Sequence, residues 1–348
     1  MKDDLPNLRP LAKWVRHGAI TIQDPETAVR IDRYLSARFP YRSRTQWARV
    51  IESGRIRLNG AACRPSRVVR FGDRIDYVPQ AHPEPEVSCE ISILYEDDAL
   101  LAVNKPPDLP VHPSGRYFHN TLLCLLLRSR GETLDTPGIR IVHRLDRETS
   151  GVVLFGKTRQ ATARMAAQFE AHRVAKEYLA LVHGMPEEDR FRIEAAIGRN
   201  LQSKIRKAMG VVPDGEGRPA ITDFEVLRRS PGGKGASGPE QSADPGHSLL
   251  RARPLTGRLH QIRVHCRHAG YPIVGDKLYG RDEAYFLKLA AGEEYSDEDR
   301  RGLLHDRQGL HAVRITIVHP LTDALFTVEA PMPADLRALC AKLGIADA

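Results

Sequence analysis

The sequence predicts mixed α and β structure in two domains, and three observations carry that expectation. The 348 residues, 41% of them hydrophobic, are enough for a sizeable buried core and suit two domains better than one. An arginine-rich segment with its own helix and strand signals occupies residues 28–79. A proline-rich stretch, 79–86, then separates it from a longer region in which strand alternation and helical spacing interleave. The expected division is 1–27 as an N-terminal extension, 28–80 as a small domain, 81–90 as linker and 91–340 as the main domain.

In the small domain, Ser43-Arg44-Thr45-Gln46 fits a capping box, and Trp47, Ala48, Val50 and Ile51 follow at helical spacing. Gly54 is the stop signal. Ile56-Arg57-Leu58 alternates like a strand, Asn59-Gly60 is a hairpin signal, and Gly72-Asp73 turns the chain into Ile75-Asp76-Tyr77-Val78. Residues 28–79 hold twelve arginines, no lysine and four acids, a balance of +8 that equals the formal charge of the whole chain. Arg42, Arg44, Arg49, Arg55 and Arg57 cluster at the helix–strand junction. Guanidinium groups match phosphate oxygens, so this face is expected to bind a nucleic-acid backbone rather than to be an ordinary solvated surface.

No apolar run approaches the roughly 20 residues of a spanning helix, and Met1-Lys2-Asp3-Asp4-Leu5-Pro6 does not read as a secretory signal. The five scattered cysteines, Cys63, Cys89, Cys124, Cys266 and Cys340, read as reduced thiols of a cytoplasmic protein.

The main domain begins with strand patterns at Ile91-Ser92-Ile93-Leu94 and Leu100-Leu101-Ala102-Val103, the second ended by Asn104-Lys105-Pro106-Pro107. A helix is expected over 121–127 with Asn120 as its cap, another over 161–169, and strands over 152–155 and 176–182. Segments 230–247 and 292–301 read as peripheral loops, the first despite its Gly232-Gly233-Lys234, which lacks the spacing of a phosphate loop.

Between the strand patterns lies His143-Arg144-Leu145-Asp146-Arg147-Glu148-Thr149-Ser150-Gly151. Arg144 and Arg147 flank Asp146 and should favour its ionised form, which suits a nucleophile or base; a surface turn of mutually paired charges fits the same residues. Nothing separates Glu148 from Asp146 as an acid/base pair, and Ser150 is not in a serine-hydrolase elbow. Tyr178 sits on a strand, where packing is the ordinary role of tyrosine. If 259–264 is helical, His260 and Arg263 share a side and can face a cleft, beside Arg258. His260, His265 and His268 lack the thiolate or carboxylate that would complete a zinc set, so no metal is expected.

Taken together these residues resemble the RluA-type pseudouridine synthase family. His143 to Gly151 matches H-R-L-D-x-x-T-S-G, and Lys176-Glu177-Tyr178 matches K-x-Y. Thr256-Gly257-Arg258-Leu259-His260-Gln261-Ile262-Arg263-Val264-His265 matches T-G-R-x-H-Q-I-R-x-H, with Pro272-Ile273-Val274-Gly275-Asp276 as its extension. Asn104-Lys105-Pro106-Pro107-Asp108 departs from N-K-P-x-G at Asp108, a change not expected to touch the chemistry. The small domain is similar to the αL RNA-binding domain named after a small-subunit ribosomal protein. The resemblance implies an α+β fold with a mixed, mainly antiparallel central sheet, flanking helices and an RNA cleft. It implies isomerisation of uridine in RNA without cofactor, by a monomer, on ribosomal RNA in the first place and transfer RNA in the second. Asp146 would be the reacting carboxylate, Arg263 its partner, and Tyr178 a stacking platform that can exchange a proton. Arg144 would fill the gap left by a flipped base, with His143, Arg258 and His260 as further substrate contacts. Two other readings, an RNA-binding protein without catalysis and a nucleoside hydrolase, lack support from the intact Asp146, Tyr178 and Arg263 set and from its single acid.

Overall fold

The structure is a computed structural model of the chain, and it describes residues 8, 13–14, 18–78, 82–231 and 246–345. The described residues fall into two compact units, a small one from Lys13 to Glu86 and a large one from Val87 to Ile345 that also includes Leu8.

In the small unit, helices Ile31–Arg38 and Arg44–Glu52 share a core with a four-stranded sheet. Its order is Gly18–Thr21, Arg74–Tyr77, Ile56–Leu58, Ala61–Ala62. The capping box forms in full: Ser43 Oγ accepts from the Gln46 N–H, and Gln46 Oε1 accepts from the Ser43 N–H. Trp47, Val50 and Ile51 then face Ile31, Leu35, Ile56 and Ile75 in one buried cluster. Residues 1–27 are not all extension. Gly18–Thr21 pairs along Arg74–Tyr77, and Ile22 is fully buried in the core. The four-residue run is too short for alternation alone to reveal it.

The large unit is built on a ten-stranded sheet. Its main path runs Arg190–Glu194, Ile221–Arg229, His247–Pro254, Ala175–His183, Leu310–Val318, Ser150–Gly156, Leu100–Lys105, Ser92–Glu96. Every pairing is antiparallel except one, between Ser150–Gly156 and Leu310–Val318, which touch in parallel only at Ser150–His311 and Gly151–Ala312. This short central contact joins two half-sheets. Each half is covered on both faces. The Leu122–Ser129 helix packs on Leu101, Val103, Val153 and Phe155, while Met165 of the Arg159–Glu170 helix packs on Leu100, Ala102, Val152 and Leu154. On the other half, Ile262 and Cys266 cover Ala180, Val182, Leu250 and Ala252, and Leu336 and Leu339 cover Leu179, Leu181 and Leu249. Double coverage explains why Ser150–Gly156 is buried throughout, with the apolar run Val152-Val153-Leu154-Phe155 instead of alternation.

Several local expectations need correction. The first large-unit helix is capped by Thr121, whose Oγ1 accepts from the Cys124 N–H, and not by Asn120, which is buried. Segment 292–301 is not all loop. Ser296 and Asp299 form a capping box that starts the Asp297–Leu303 helix, a signal hidden in a run of acids. Most of the 230–247 loop, residues 232–245, lies outside the described residues. Among the described residues no helix is long and apolar enough to cross a membrane.

Candidate active site

Asp146 lies on the segment joining strands Arg140–Ile141 and Ser150–Gly156, and that segment is fastened from several sides. Lys105 is fully buried at the end of its strand, and its three ammonium protons match three carbonyls. Nζ donates to Pro106 O at 2.8 Å, and to Leu109 O and Arg147 O at 2.9 Å. Burial pulls the Lys105 pKa down to about 7. Glu148 accepts from Lys277 Nζ at 3.1 and 3.2 Å and from Arg147 Nη2 at 3.0 Å. Arg307, itself gripped by both oxygens of Asp335, donates to Glu148 O at 3.2 Å. Gly151, at φ +114°, leaves no room for a side chain: a Cβ would stand 2.1 Å from Ala312 O, so glycine is what permits the central strand contact. Asp108, where the related pattern has glycine, sits at φ +59°, a conformation aspartate tolerates better than most residues.

A cavity of about 540 Å³ opens above this segment. His143, Arg144, Asp146, Tyr178, Arg258, His260 and Arg263 all line it, and Asp146 is the sole carboxylate among the described residues of its lining. Glu148 is thus a fastening and not a second acid of the cavity.

Arg263 is the centre of the charge arrangement. Its Nη1 donates to Asp146 Oδ2 at 2.7 Å, while Nε and Nη2 donate to the two oxygens of buried Asp276 at 2.6 and 2.8 Å. Asp276 Oδ1 also accepts the backbone N–H groups of Leu278 and Tyr279. Burial opposes ionisation of Asp146, but the adjacent Arg263 guanidinium outweighs it and holds the carboxyl below its ordinary range. The flanking Arg144 and Arg147 do not supply this effect. Arg144 is exposed at the cavity wall, and Arg147 bonds Tyr117 Oη and Glu148. In a loop, neighbours in sequence point apart; the partner comes from 117 residues away.

His260 is the N-cap of the Gln261–His268 helix and lies at φ +57°, so the helix begins later than 259 and Leu259 is outside it. Its Nε2 stands 3.8 Å from Asp146 Oδ1, and its Nδ1 2.7 Å from Tyr279 Oη. Burial lowers its pKa to about 4, leaving the ring neutral near pH 7. Tyr178 is half-buried, and burial plus the Asp146 charge push its phenol pKa well up, so it keeps its proton. His143 is spent on structure: Nε2 accepts the Leu154 N–H at 3.0 Å and the ring stacks on Phe169. Arg258 Nε donates to Pro219 O at 2.9 Å. His265 bonds Thr222 Oγ1 and Ala195 O, which commits both ring nitrogens to the protein. Among the described residues no group of three histidine, cysteine or acidic side chains could hold a metal.

The small unit's arginines differ among themselves. Arg44 Nε pairs with Asp32 at 2.9 Å, Arg42 lies over the Trp47 and Tyr41 rings, and Arg55 Nε donates to Ser53 Oγ. Arg49 and Arg57 are exposed.

Sequence reasoning left Asp276, Tyr279, Lys105, Lys277 and Gln308 without roles. A usable signal existed for Asp276: an acid two residues past the apolar Ile273-Val274 is carried inward with them, and a buried carboxylate requires a cation.

The family model for RNA pseudouridylate synthase matches residues 99–268, and that for the S4 domain matches 29–75. An uncharacterized RNA pseudouridine synthase of Chloroflexus aurantiacus is 37% identical over 330 residues, 93% of each chain. Ribosomal large subunit pseudouridine synthase D of Pseudomonas aeruginosa is 33% identical over 88% of this chain and 89% of its own. Among solved structures, human RNA pseudouridylate synthase domain containing 1 has a TM-score of 0.54 at 30% identity, over 74% of this chain and 90% of that one. The chain therefore belongs to the RluA-type RNA pseudouridine synthases, isomerases that convert uridine in RNA to pseudouridine, and carries an S4 RNA-binding domain ahead of the catalytic one.

Proposed function

We propose that the chain acts on specific uridines of large-subunit ribosomal RNA in the cytoplasm, with Asp146 as the reacting carboxylate and the target base flipped out of its stack. The observation that carries this reading is the state of Asp146: ionised, the sole carboxylate among the described residues lining the cavity, with Oδ2 held by Arg263 at 2.7 Å and Oδ1 outside that bond. Attack on the ribose, attack on the uracil ring and removal of a sugar proton all begin from such an oxygen. The cavity volume suits one nucleotide. Exposed Arg144 at its wall is available to fill the vacated stack, and Tyr178 offers an aromatic face and a hydroxyl that stays protonated. The glycosidic bond breaks, the uracil turns, and a ring carbon joins the ribose, losing its proton while the ring nitrogen freed from the ribose gains one. The relatives named large subunit pseudouridine synthase D support ribosomal over transfer RNA.

Mapping pseudouridines in total RNA from a strain lacking the gene tests this. Loss of one or more sites in large-subunit ribosomal RNA, restored by the wild-type gene but not by Asp146→Asn, is the expected result. Loss confined to transfer RNA would overturn the substrate, and restoration by Asp146→Asn would overturn the carboxylate.

A further inference from the structure

We propose that Tyr279 is a positioning residue that fixes the tautomer of His260, so that a neutral Nε2–H faces Oδ1 of Asp146. The inference rests on the reading of Asp146 as the reacting group, and it starts from proton counting. The Tyr279 side chain is buried, and its hydroxyl has two neighbours: it accepts the Met209 backbone N–H at 2.9 Å and lies 2.7 Å from His260 Nδ1. A phenol carries one proton, and with Met209 donating inward that proton has Nδ1 as its acceptor. A neutral imidazole whose Nδ1 accepts must carry its own proton on Nε2. That nitrogen is the one 3.8 Å from Asp146 Oδ1. Both groups are held in the forms this requires, since burial pushes the Tyr279 pKa up to about 12 and that of His260 down to about 4.

Backbone geometry points the same way. His260 is held at φ +57°, an uncommon conformation for a residue with a side chain, and it makes no side-chain cap bond to its own helix. The ring is turned from the helix end toward Tyr279 and Asp146. Tyr279 also lies under the Arg263 guanidinium, 4.8 Å from ring centroid to carbon. One tyrosine therefore touches two donors that face the carboxylate, Arg263 through its ring and His260 through its hydroxyl.

The two oxygens of Asp146 are thus treated differently. Oδ2 takes a short, charged hydrogen bond, while Oδ1 faces a neutral imidazole N–H too distant to bond at rest. Such a donor orients Oδ1 toward the cavity without drawing off its charge, and a small movement on substrate binding brings it within hydrogen-bond reach. The other tautomer would turn a lone pair against the carboxylate. The Met209 bond extends the support to the hairpin of Ile197–Arg199 and Met209–Val211, whose loop carries Lys204, Arg206 and Lys207 at the surface.

The test is ¹⁵N NMR of the histidine-labelled full-length protein, with the His260 signals assigned by their loss in His260→Gln. Wild type should show a protonated Nε2 and an unprotonated, accepting Nδ1. Tyr279→Phe keeps the ring beneath Arg263 but should give a mixture of tautomers, a single-turnover rate about tenfold lower and unchanged RNA affinity. In His260→Gln, whose amide has no tautomer to set, adding Tyr279→Phe should change the rate less than about twofold. A protonated Nδ1 in wild type overturns the proposal even if a variant is unstable. So does an undiminished tenfold loss in the His260→Gln background, which would mark Tyr279 as packing alone. An active Asp146→Asn enzyme with the expected tautomer would instead place the failure in the reading of Asp146.

Discussion

Asp276 occupies two nitrogens of Arg263, Nε at 2.6 Å and Nη2 at 2.8 Å, so that Arg263 meets Asp146 with Nη1 alone. The arginine is therefore aimed by one carboxylate at the other. Lysine could not do this, because a point charge has no fixed fork. Asp276→Asn turns an amide N–H₂ toward the guanidinium or loses an acceptor for the Leu278 and Tyr279 N–H groups. Removing one member of a buried pair costs about 3–5 kcal/mol. Chemical denaturation should register that loss, and the single-turnover rate should fall at least tenfold while RNA affinity holds. The sign with pH follows from the lowered Asp276 pKa. Its stabilisation is present above the unfolded carboxylate value and lost as pH falls through the folded one. The variant should lack that part of the acid-side decline; wild-type stability and rate in the variant would contradict this role.

The pH profile of the chemical step separates Asp146 from the histidines around it. Asp146 lies below its ordinary range and His260 titrates at about 4. Single-turnover rates should stay level from about pH 6 to neutrality and fall only in the more acid region as the carboxylate protonates. An acid limb centred near the ordinary histidine value, about 6.5, would show that a charged histidine governs the rate.

Lys105→Met tests the fastening beneath the loop. It leaves three carbonyls, of Pro106, Leu109 and Arg147, without the ammonium that now bonds all of them. Each unsatisfied buried acceptor costs about 1–3 kcal/mol, less where the loop can shift toward water. A destabilisation of about 3 kcal/mol or more is expected in urea titration, and one below about 1 kcal/mol would mean that burial of the stem, not the bonds, is what matters.

What could be read in advance follows the physics of each residue. The capping box at Ser43 and the strand behind Lys176 are local in cause, and the chain forms both near the expected residues. From its own residues Asp146 fitted a surface turn as well as a reacting carboxylate, and the match of His143 to Gly151 to H-R-L-D-x-x-T-S-G is what singled it out. Its electrostatic partner was not legible from flanking arginines, since loop neighbours diverge and the effective cation arrives from a distant helix. The Gly18–Thr21 strand and the Tyr279 contact were invisible for the same reason: each depends on a pairing made only when the chain folds.

The arginines of the small unit should fall into two classes. Arg44, Arg49 and Arg57 are all exposed, but Arg44 is also paired with buried Asp32. Replacing Arg49 and Arg57 together with glutamine should flatten the slope of log affinity against log salt by roughly 0.7 to 0.9 for each phosphate that is no longer neutralised. Arg44→Gln should lower stability of the unit more than it changes that slope. Equal salt slopes in wild type and the double variant would show that these arginines do not bind phosphates.

The central claim is that Asp146 performs the isomerisation while the surrounding residues hold and orient it. Single-turnover release of tritium from ring-labelled uridine RNA by Asp146→Asn, measured beside RNA affinity, tests this most directly. Asparagine keeps the size and one acceptor of the side chain but not its charge. The account predicts no detectable release with affinity within a few fold of wild type. Substantial turnover by the variant would contradict it.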